Sequence, residues 1–201
     1  MTPQTANLPL LGTLAGFRRF TVDEYHRLTE LGILTEEDNL ELIEGYLVLK
    51  MPRNPPHDGT IHRVLKRLGK VLPSGWDVRI QSAITLPDSE PEPDLAIVRE
   101  DPDGYTTRHP TAADVGLVIE VADSTLAGDR TDKARIYARA GIECYWIINL
   151  VDRQVEYYTS PSGPVALPAY AQRQDYRPGD TIPLNLAGTV TVGLSAQDLL
   201  P

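Results

Sequence analysis

Two apolar segments on either side of a helical segment constrain the fold of this chain most strongly. Residues 117–122 (LVIEVA) and 144–150 (CYWIINL) have the nearly continuous apolar character of strands that are buried on both faces. Between them, residues 129–140 (DRTDKARIYARA) have helical spacing and are followed by Gly141, a residue type that often ends a helix. Because a strand–helix–strand crossover joins parallel strands, we predict that the two strands are parallel neighbours in an α/β sheet.

The remaining segments predict helices that flank this sheet and several further strands. Thr21 stands three residues before Glu24, a capping-box pattern that marks the start of a helix. Residues 61–72 (IHRVLKRLGKVL) have the spacing of an amphipathic helix with a basic face. Strands are predicted within residues 46–51, 76–86, 94–98 and 150–158, and then as short antiparallel strands, with a last helix capped by Ser195, in residues 176–201. We expect this C-terminal segment to cover an edge of the sheet.

Length and composition indicate one folded domain. A chain of 201 residues is long enough for one good core, and its 41% hydrophobic and 23% charged residues are ordinary for a globular protein. We therefore predict a single domain over residues 20–201, preceded by an N-terminal extension over residues 1–19.

Cysteine usage and hydropathy favour a cytoplasmic location. The one cysteine, Cys144, cannot form a disulfide within the chain and lies in an apolar segment, as expected of a buried thiol in a reducing compartment. The first 17 residues have no basic residue ahead of their mildly apolar middle, which argues against a secretory signal. No apolar run approaches the roughly 18 residues that cross a bilayer, so we expect no membrane association.

The charge of the chain argues against a protein that coats nucleic acid through bulk electrostatics. The formal net charge is −9 and the isoelectric point is about 4.9, so any contact with nucleic acid has to be local. Two basic stripes stand at helical spacing, one in each of two predicted helices: Arg63, Lys66, Arg67 and Lys70, and then Arg135 and Arg139. Solvated helix faces explain these stripes as well as a binding surface does.

Two acids at strand positions are the first candidates for chemistry. Glu120 interrupts a buried strand, where an unpaired carboxylate costs several kcal/mol or becomes protonated. Asp94 stands directly before the next aliphatic strand towards the N-terminus. Carboxylates on neighbouring strands raise each other's pKa unless a cation lies between them. We therefore predict that Asp94 and Glu120 hold a hard divalent ion, Mg²⁺ or Mn²⁺, through oxygen ligands.

Other interpretations of these acids stay open. Asp94 is also an ordinary residue for the turn before a strand, and Glu120 also fits a buried ion pair with Lys133 or an arginine. A third acid, Glu41 or Glu44, stands at the helix-to-strand passage ELIEG. The sequence has no glycine-rich phosphate loop, no GxSxG or HExxH motif and no paired cysteines for zinc.

Taken together, these motifs resemble the Uma family, which is classed with restriction endonucleases in the PD-(D/E)xK nuclease superfamily. The resemblance rests on the segments PDLAIV and VIEV and on the pattern DST…D…K…Y…AGI…YWI, and it runs from about Phe20 to the C-terminus. It implies a restriction-endonuclease-like core, with a central mixed β-sheet flanked by helices and additional antiparallel strands at the C-terminus. It also implies Mg²⁺-dependent cleavage of DNA phosphodiester bonds by a homodimer, with Asp94 and Glu120 as the metal-binding acids.

The chain departs from the superfamily pattern at one position. The lysine expected two residues after the second acid is replaced by Ala122, and Lys133, about one turn into the crossover helix, is the natural substitute. Tyr137, four residues further on, shares the helix face of Lys133 and is a candidate for orienting its ammonium group, although core packing explains the ring better.

The resemblance also implies roles for residues outside the two strands. Glu41 corresponds to an acid of the early helix-to-strand element and joins the catalytic set. His57 corresponds to a histidine near the start of the second helix and Gln81 to a polar residue on the strand before the metal acid, and both are candidate substrate contacts. A capping or hydrogen-bonding role also explains His57, and an outward-facing strand position also explains Gln81. Arg63 and Arg67 are the nearby arginines expected to help attract DNA. Two rival functions remain: a binding or regulatory protein with an inactive nuclease fold, and a metal-dependent hydrolase of a small phosphorylated substrate, which suits the negative charge.

Overall fold

A computed structural model describes residues 17–201, apart from the side chains of residues 190 and 191. Most of the predicted N-terminal extension, and with it the segment weighed as a secretory signal, lies outside the described residues. The helices are α1 (Val22–Glu30), α2 (Pro55–Leu68), α3 (Leu126–Gly128), α4 (Ala134–Arg139) and α5 (Ala196–Leu199). The strands are β1 (Leu40–Ile43), β2 (Tyr46–Leu49), β3 (Trp76–Ile80), β4 (Leu95–Arg99), β5 (Val115–Ala122), β6 (Cys144–Asn149), β7 (Gln154–Pro161), β8 (Tyr170–Tyr176), β9 (Thr181–Leu186) and β10 (Thr189–Ser195).

A six-stranded mixed sheet forms the centre of the molecule. Its strand order is β3-β4-β5-β6-β7-β8, and the β5–β6 pair is parallel while its other pairs are antiparallel. The parallel pair confirms the prediction made from the two apolar segments. The strand pairs β1–β2 and β9–β10 form two separate antiparallel hairpins.

Side-chain alternation divides the buried residues into two cores, one on each face of the sheet. On one face, Leu95, Ile97 and Ile119 pack with α2 and with the C-terminal hairpin. On the other face, Ala96 and Val118 pack with α4. The described part of the chain contains no helix long and apolar enough to cross a membrane.

The C-terminal hairpin covers a face of the sheet, so the prediction that it covers an edge is wrong. Alternate residues of β9, Ile182, Leu184 and Leu186, are buried in the same core as α2. Leu186 lies so close to Gly116 of the central strand β5 that a Cβ built on this glycine would be 3.0 Å from its side chain. Burial of this apolar face stabilises the hairpin on the sheet surface, where no strand-to-strand hydrogen bonds are needed.

The second helix begins earlier than the sequence pattern indicated. Asn54 caps α2 by accepting a hydrogen bond from the backbone N–H of His57 (3.1 Å), and proline occupies the first helical turn, where its missing N–H costs nothing. The helix therefore starts at Pro55 and ends at Leu68, and the prediction of residues 61–72 was displaced towards the C-terminus. His57 consequently belongs to the first turn of a helix.

Two other boundaries also differ from the predictions. The strand expected over residues 76–86 ends at Ile80, because Gln81 adopts a left-handed conformation with φ of 46°. The crossover helix begins at Leu126 and includes a π-helical turn, Asp129–Lys133, before α4. Turns of this kind are frequent at functional sites.

Candidate active site

Strand register brings Asp94 and Glu120 together at the end of the β4–β5 pair. Leu95 pairs with Ile119, so the same register continued by one residue places Asp94 opposite Glu120. The backbone N–H of Asp94 donates to Oε2 of Glu120 (3.2 Å), and the N–H of Val121 donates to Oδ2 of Asp94 (2.8 Å). Both acids line a cavity of about 570 Å³.

Lys133 reaches this cavity from the π-helical turn. Its Nζ donates to Oε2 of Glu41 (2.7 Å) and lies 3.7 Å from Oε1 of Glu120. Glu41, which comes from β1, also accepts a hydrogen bond from the backbone N–H of Glu92 (3.1 Å). One ammonium group thus lies between two nearly buried carboxylates from two separate sheets, and the geometry agrees with an ion pair as well as with a catalytic lysine.

Tyr137 binds the acid and not the lysine. Its hydroxyl donates to Oε1 of Glu120 (2.7 Å), and its ring is fully buried under the sheet. The ring therefore packs in the core, which the sequence-based prediction favoured. The hydroxyl fixes one carboxylate oxygen of Glu120, whereas the alternative prediction had it orient the ammonium group of Lys133.

His57 contacts the other acid from the first turn of α2. Its Nε2 lies 3.1 Å from Oδ2 of Asp94, and its Nδ1 lies 3.4 Å from Oδ1 of Asp58. Burial alone lowers the pKa of His57, but the hydrogen bonds and negative charges of Asp94 and Asp58 outweigh burial and raise this pKa above its ordinary value.

The electrostatics of the cavity disfavour the ionised form of Glu120. Burial is the largest cause that raises its pKa well above the ordinary value, and the charges of Asp94 and Asp129 act in the same direction. The charge of Lys133 and the hydrogen bond from Tyr137 oppose this shift without cancelling it. A cation bound beside Glu120 would stabilise its ionised form, which Lys133 and Tyr137 do not stabilise enough to offset burial.

The donor set fits a hard divalent ion that keeps part of its hydration shell. Asp94 and Glu120 offer carboxylate oxygens, and Mg²⁺ is usually bound by one or two carboxylates together with water and substrate phosphate. Residues 17–201 contain no group of three or more His, Cys, Asp or Glu side chains arranged to hold a metal ion.

The structure separates the two candidates for a third acid. Glu41 lines the cavity, whereas Glu44 lies outside it and accepts hydrogen bonds from Arg135 (Nε to Oε1, 3.0 Å) and from Arg139. Arg139 also pairs with Asp88 (2.7 Å). The second basic stripe is thus engaged in ion pairs with acids and is not a simple solvated face.

Three of the predicted substrate contacts do not line this cavity. Arg67 pairs with Asp198 of α5 (3.2 Å), and Arg63 is exposed on the surface of α2. The backbone N–H of Gln81 donates to the carbonyl of Asp94 (3.1 Å), but its side chain lines a second cavity. Among the described residues, the fold brings the predicted site residues Asp94, Glu120, Glu41, Lys133 and His57 together at the cavity, and Tyr137 contacts Glu120 from the core.

Asp129 and Arg53 are among the cavity residues that the sequence-based reasoning missed. Asp129 is 6% exposed, accepts a hydrogen bond from the hydroxyl of Thr125 (2.7 Å), and its burial raises its pKa to about 6. Its spacing of four residues before Lys133, which puts both on one helix face, was the available signal. Arg53 also lines the cavity, and no local pattern distinguished it.

Comparisons with known proteins agree with this architecture. A crystal structure described as a "putative nuclease belonging to DUF820" from Anabaena variabilis ATCC 29413 superimposes with a TM-score of 0.67 and 17% sequence identity, over 90% of this chain and 97% of that chain. At that identity the match shows the fold alone. No curated protein matches the chain. The model of the Uma2 family, described as "Putative restriction endonuclease", matches residues 22–194. Because this match spans most of the sequence and agrees with the resemblance in its motifs, the chain belongs to the Uma2 family.

Proposed function

We propose that the protein is a divalent-metal-dependent endonuclease that hydrolyses DNA phosphodiester bonds at the cavity of Asp94, Glu120 and Lys133. The observation that carries this proposal is the pairing of two acids from neighbouring strands beside an amine, with Nζ of Lys133 3.7 Å from Glu120. Family membership supports a nuclease. The raised pKa of Glu120 supports a cation-binding site beside this carboxylate, because a bound cation would stabilise its ionised form.

Each side chain has a distinct task in this mechanism. When bound, Mg²⁺ or Mn²⁺ supplies Lewis acidity towards the scissile phosphate and lowers the pKa of water. Asp94 and Glu120 would hold the ion, and Lys133 would stabilise the negative charge that develops on the phosphoryl oxygens. Glu41 holds the ammonium group of Lys133 in position, and His57 is placed to contact a phosphate oxygen.

Location and assembly belong to the same proposal. The net charge of −9 leaves the attraction for DNA to local groups, so binding is expected to weaken steeply with salt and in the absence of metal. We propose a cytoplasmic homodimer, because cleavage of both strands of a duplex usually needs two sites.

The negative charge also favours a second candidate, a metal-dependent hydrolase of small phosphorylated molecules. The purified protein should be incubated with single-stranded, double-stranded and branched DNA, and separately with small phosphate esters, in the presence of Mg²⁺ or Mn²⁺. Internal cleavage of DNA supports the endonuclease, and release of phosphate from small esters alone supports the second candidate. Metal binding without hydrolysis of any substrate would indicate an inactive nuclease fold with a binding role.

The hydrogen bond from Tyr137 gives a prediction about pH. Because this bond lowers the pKa of Glu120, Tyr137→Phe raises that pKa further and leaves less of the carboxylate ionised at a given pH. We expect kcat/KM for DNA cleavage to fall by about 10-fold at neutral pH, as for other groups that orient metal ligands. We also expect the acidic limb of the pH profile to move to higher pH.

A matched control is Tyr145→Phe. Tyr145 is equally buried and its hydroxyl donates to the backbone carbonyl of Asp129 (3.1 Å), so this variant removes a buried hydroxyl without changing a bond to Glu120. Identical pH profiles for the two variants would contradict the role of Tyr137.

A further inference from the structure

A second cavity of about 1100 Å³ adjoins the acid cavity. Its walls come from α1, from the segment that follows β3 and from the loop over residues 105–111. Lys50 and Glu92 line both cavities and form an ion pair (Nζ to Oε2, 2.9 Å). The two cavities are therefore neighbours that meet at this pair.

Two buried nitrogen atoms in this second cavity lack a hydrogen-bond partner. They are Nε of Arg79 and Nδ1 of His109, and within the described part of the chain only two other buried side-chain polar atoms share this condition. Both residues line the second cavity. Buried polar atoms are almost always satisfied, so two unpaired nitrogens on residues of one cavity favour a ligand that supplies their partners once these side chains adjust to it.

Arg79 is held in place but carries no neutralising partner. Its guanidinium lies over the ring of Tyr105 (5.4 Å to the centroid), and the tyrosine hydroxyl is anchored on the carbonyl of Arg99 (2.8 Å). Arg108 lies over the same ring, but it is paired with Asp114 (2.8 Å). No carboxylate of residues 17–201 forms a salt bridge with Arg79, which leaves a positioned arginine free for an anion.

The acids of the second cavity make their contacts with groups other than Arg79. Glu90 is buried, accepts hydrogen bonds from His26 (2.7 Å) and from the hydroxyl of Thr85 (2.9 Å), and lies 3.8 Å from Nε2 of His109. Glu92 is paired with Lys50. Glu30 and Glu36 stand at the exposed rim. The hydroxyls of Thr106 and Thr107 also line the cavity and can donate to phosphate, whereas those of Ser82 and Thr111 already donate to Ile80 and Asp114.

We propose that the second cavity binds backbone phosphate of the nucleotides that flank the scissile bond, with Arg79 and His109 as the phosphate contacts. This inference rests on the proposed function of the adjoining acid cavity. Successive phosphates of one strand advance by about 3.4 Å per nucleotide, so a strand with its scissile phosphate beside Glu120 continues into the neighbouring space. The substrate class is therefore an oligonucleotide strand that extends beyond the scissile bond, and not a mononucleotide or other small ester.

The test measures binding and does not require cleavage. Fluorescence anisotropy with Ca²⁺ in place of Mg²⁺, so that the acid cavity can still hold a divalent ion, gives Kd for a labelled dinucleotide and for a labelled 12-nucleotide single strand over a range of salt concentrations. For Arg79→Gln we expect about 10-fold weaker binding of the 12-mer and unchanged binding of the dinucleotide. The slope of log K against log salt should fall by about 0.7, the value for one lost phosphate contact on a single strand.

Arg99→Gln is the matched control. Arg99 is exposed on β4, stacks on Trp76 (4.0 Å to the ring centroid) and lines neither cavity, so its loss removes the same charge from the same sheet. His109→Gln is a second test variant that does not disturb β3, and melting temperatures report whether each variant is folded. A 12-mer made neutral at one flanking phosphate should bind wild-type protein more weakly than the fully charged 12-mer does. Arg79→Gln should then have no further effect on its Kd.

Equal Kd values and salt slopes for Arg79→Gln and Arg99→Gln would overturn the inference, as would an absence of measurable 12-mer binding by wild-type protein at low salt. A wild-type protein that binds the 12-mer through Arg79 but cleaves no DNA would contradict the proposed function and leave this inference standing. If wild-type protein cleaves DNA but Arg79→Gln binds the 12-mer as Arg99→Gln does, the inference is contradicted and the proposed function stands.

Discussion

Asp94→Asn is expected to lower the rate of metal-dependent DNA cleavage by at least about a thousandfold. Asparagine keeps the shape of the side chain and can still accept the hydrogen bond from Val121, but it removes one of the two negative charges that bind the ion. Loss of a single group that stabilises transition-state charge already costs about 10²–10³ in rate, and loss of the metal ion costs more.

The same substitution should not destabilise the protein at a pH well above the pKa of His57, where the charge of Asp94 no longer stabilises a protonated His57. The charge of Asp94 contributes to the raised pKa of Glu120, so its removal lets that pKa fall towards the ordinary value and lessens the cost of burying an ionised Glu120. We expect an unchanged or higher melting temperature together with the lost activity. Initial rates with Mg²⁺ and with Mn²⁺, measured beside thermal melting, give both results.

Asp103→Asn is the control for this prediction, because Asp103 is an exposed loop residue that lines neither cavity. It should match wild-type protein in rate and in melting temperature. An Asp94→Asn protein that cleaves within about threefold of this control would show that Asp94 does not take part in the chemistry.

Lys133→Gln should reduce both activity and stability. Its side chain is 15% exposed and its amine faces Glu41 and Glu120, so its removal leaves buried carboxylates without a cation. Breaking such a pair from one side costs about 3–5 kcal/mol, and the lost stabilisation of the phosphoryl oxygens lowers the rate by about 10²–10³.

The stability loss of Lys133→Gln should grow with pH. The charge of Lys133 lowers the pKa of Glu120, so in the variant that pKa rises further above its value in the unfolded chain. A carboxyl whose pKa is raised by folding favours the protonated form, so stability falls as pH increases past the unfolded pKa and through the folded one. Urea unfolding at pH 5 and pH 8 should show the larger deficit at pH 8.

Lys66→Gln removes an exposed lysine from α2 and serves as the control. Its free energy of unfolding should stay within about 0.5 kcal/mol of wild type at both pH values. A Lys133→Gln deficit that is equally small, or that shrinks as pH rises, would contradict the assignment of Lys133 to the acid cavity.

Local sequence patterns predicted the centre of the fold and the acids on it. Continuous apolar segments around one helix predicted the parallel β5–β6 pair, which the structure confirms. Alternation along β5 set Glu120 on the same face as Val118, and that face carries α4. Patterns of this kind work because strand periodicity and burial are properties of residues close together in the chain.

Contacts between distant segments could not be predicted in the same way. Lys133 and Glu41 are 92 residues apart, and the choice of Glu41 over Glu44 depends on which helix face meets the β1–β2 hairpin. The pairing of Arg67 with Asp198 depends likewise on α5 lying against α2. A basic stripe at helical spacing looks the same whether it faces DNA, solvent or an acid from another element.

The contact between Tyr137 and Glu120 shows how far a motif can be interpreted. Helical spacing placed Tyr137 on the face of Lys133, and the structure shows its hydroxyl on the carboxylate of Glu120 instead. Helical spacing gives the face on which a side chain lies but not the atom that its hydroxyl contacts, so only coordinates separate the two roles.

The most direct test of the account is a crystal structure of the protein grown with Mn²⁺ and measured for anomalous scattering. The account predicts one manganese ion within about 2.2 Å of carboxylate oxygens from both Asp94 and Glu120, and no ion at this position in Asp94→Asn. Manganese bound only elsewhere, or no ion between these two carboxylates at millimolar Mn²⁺, would contradict it.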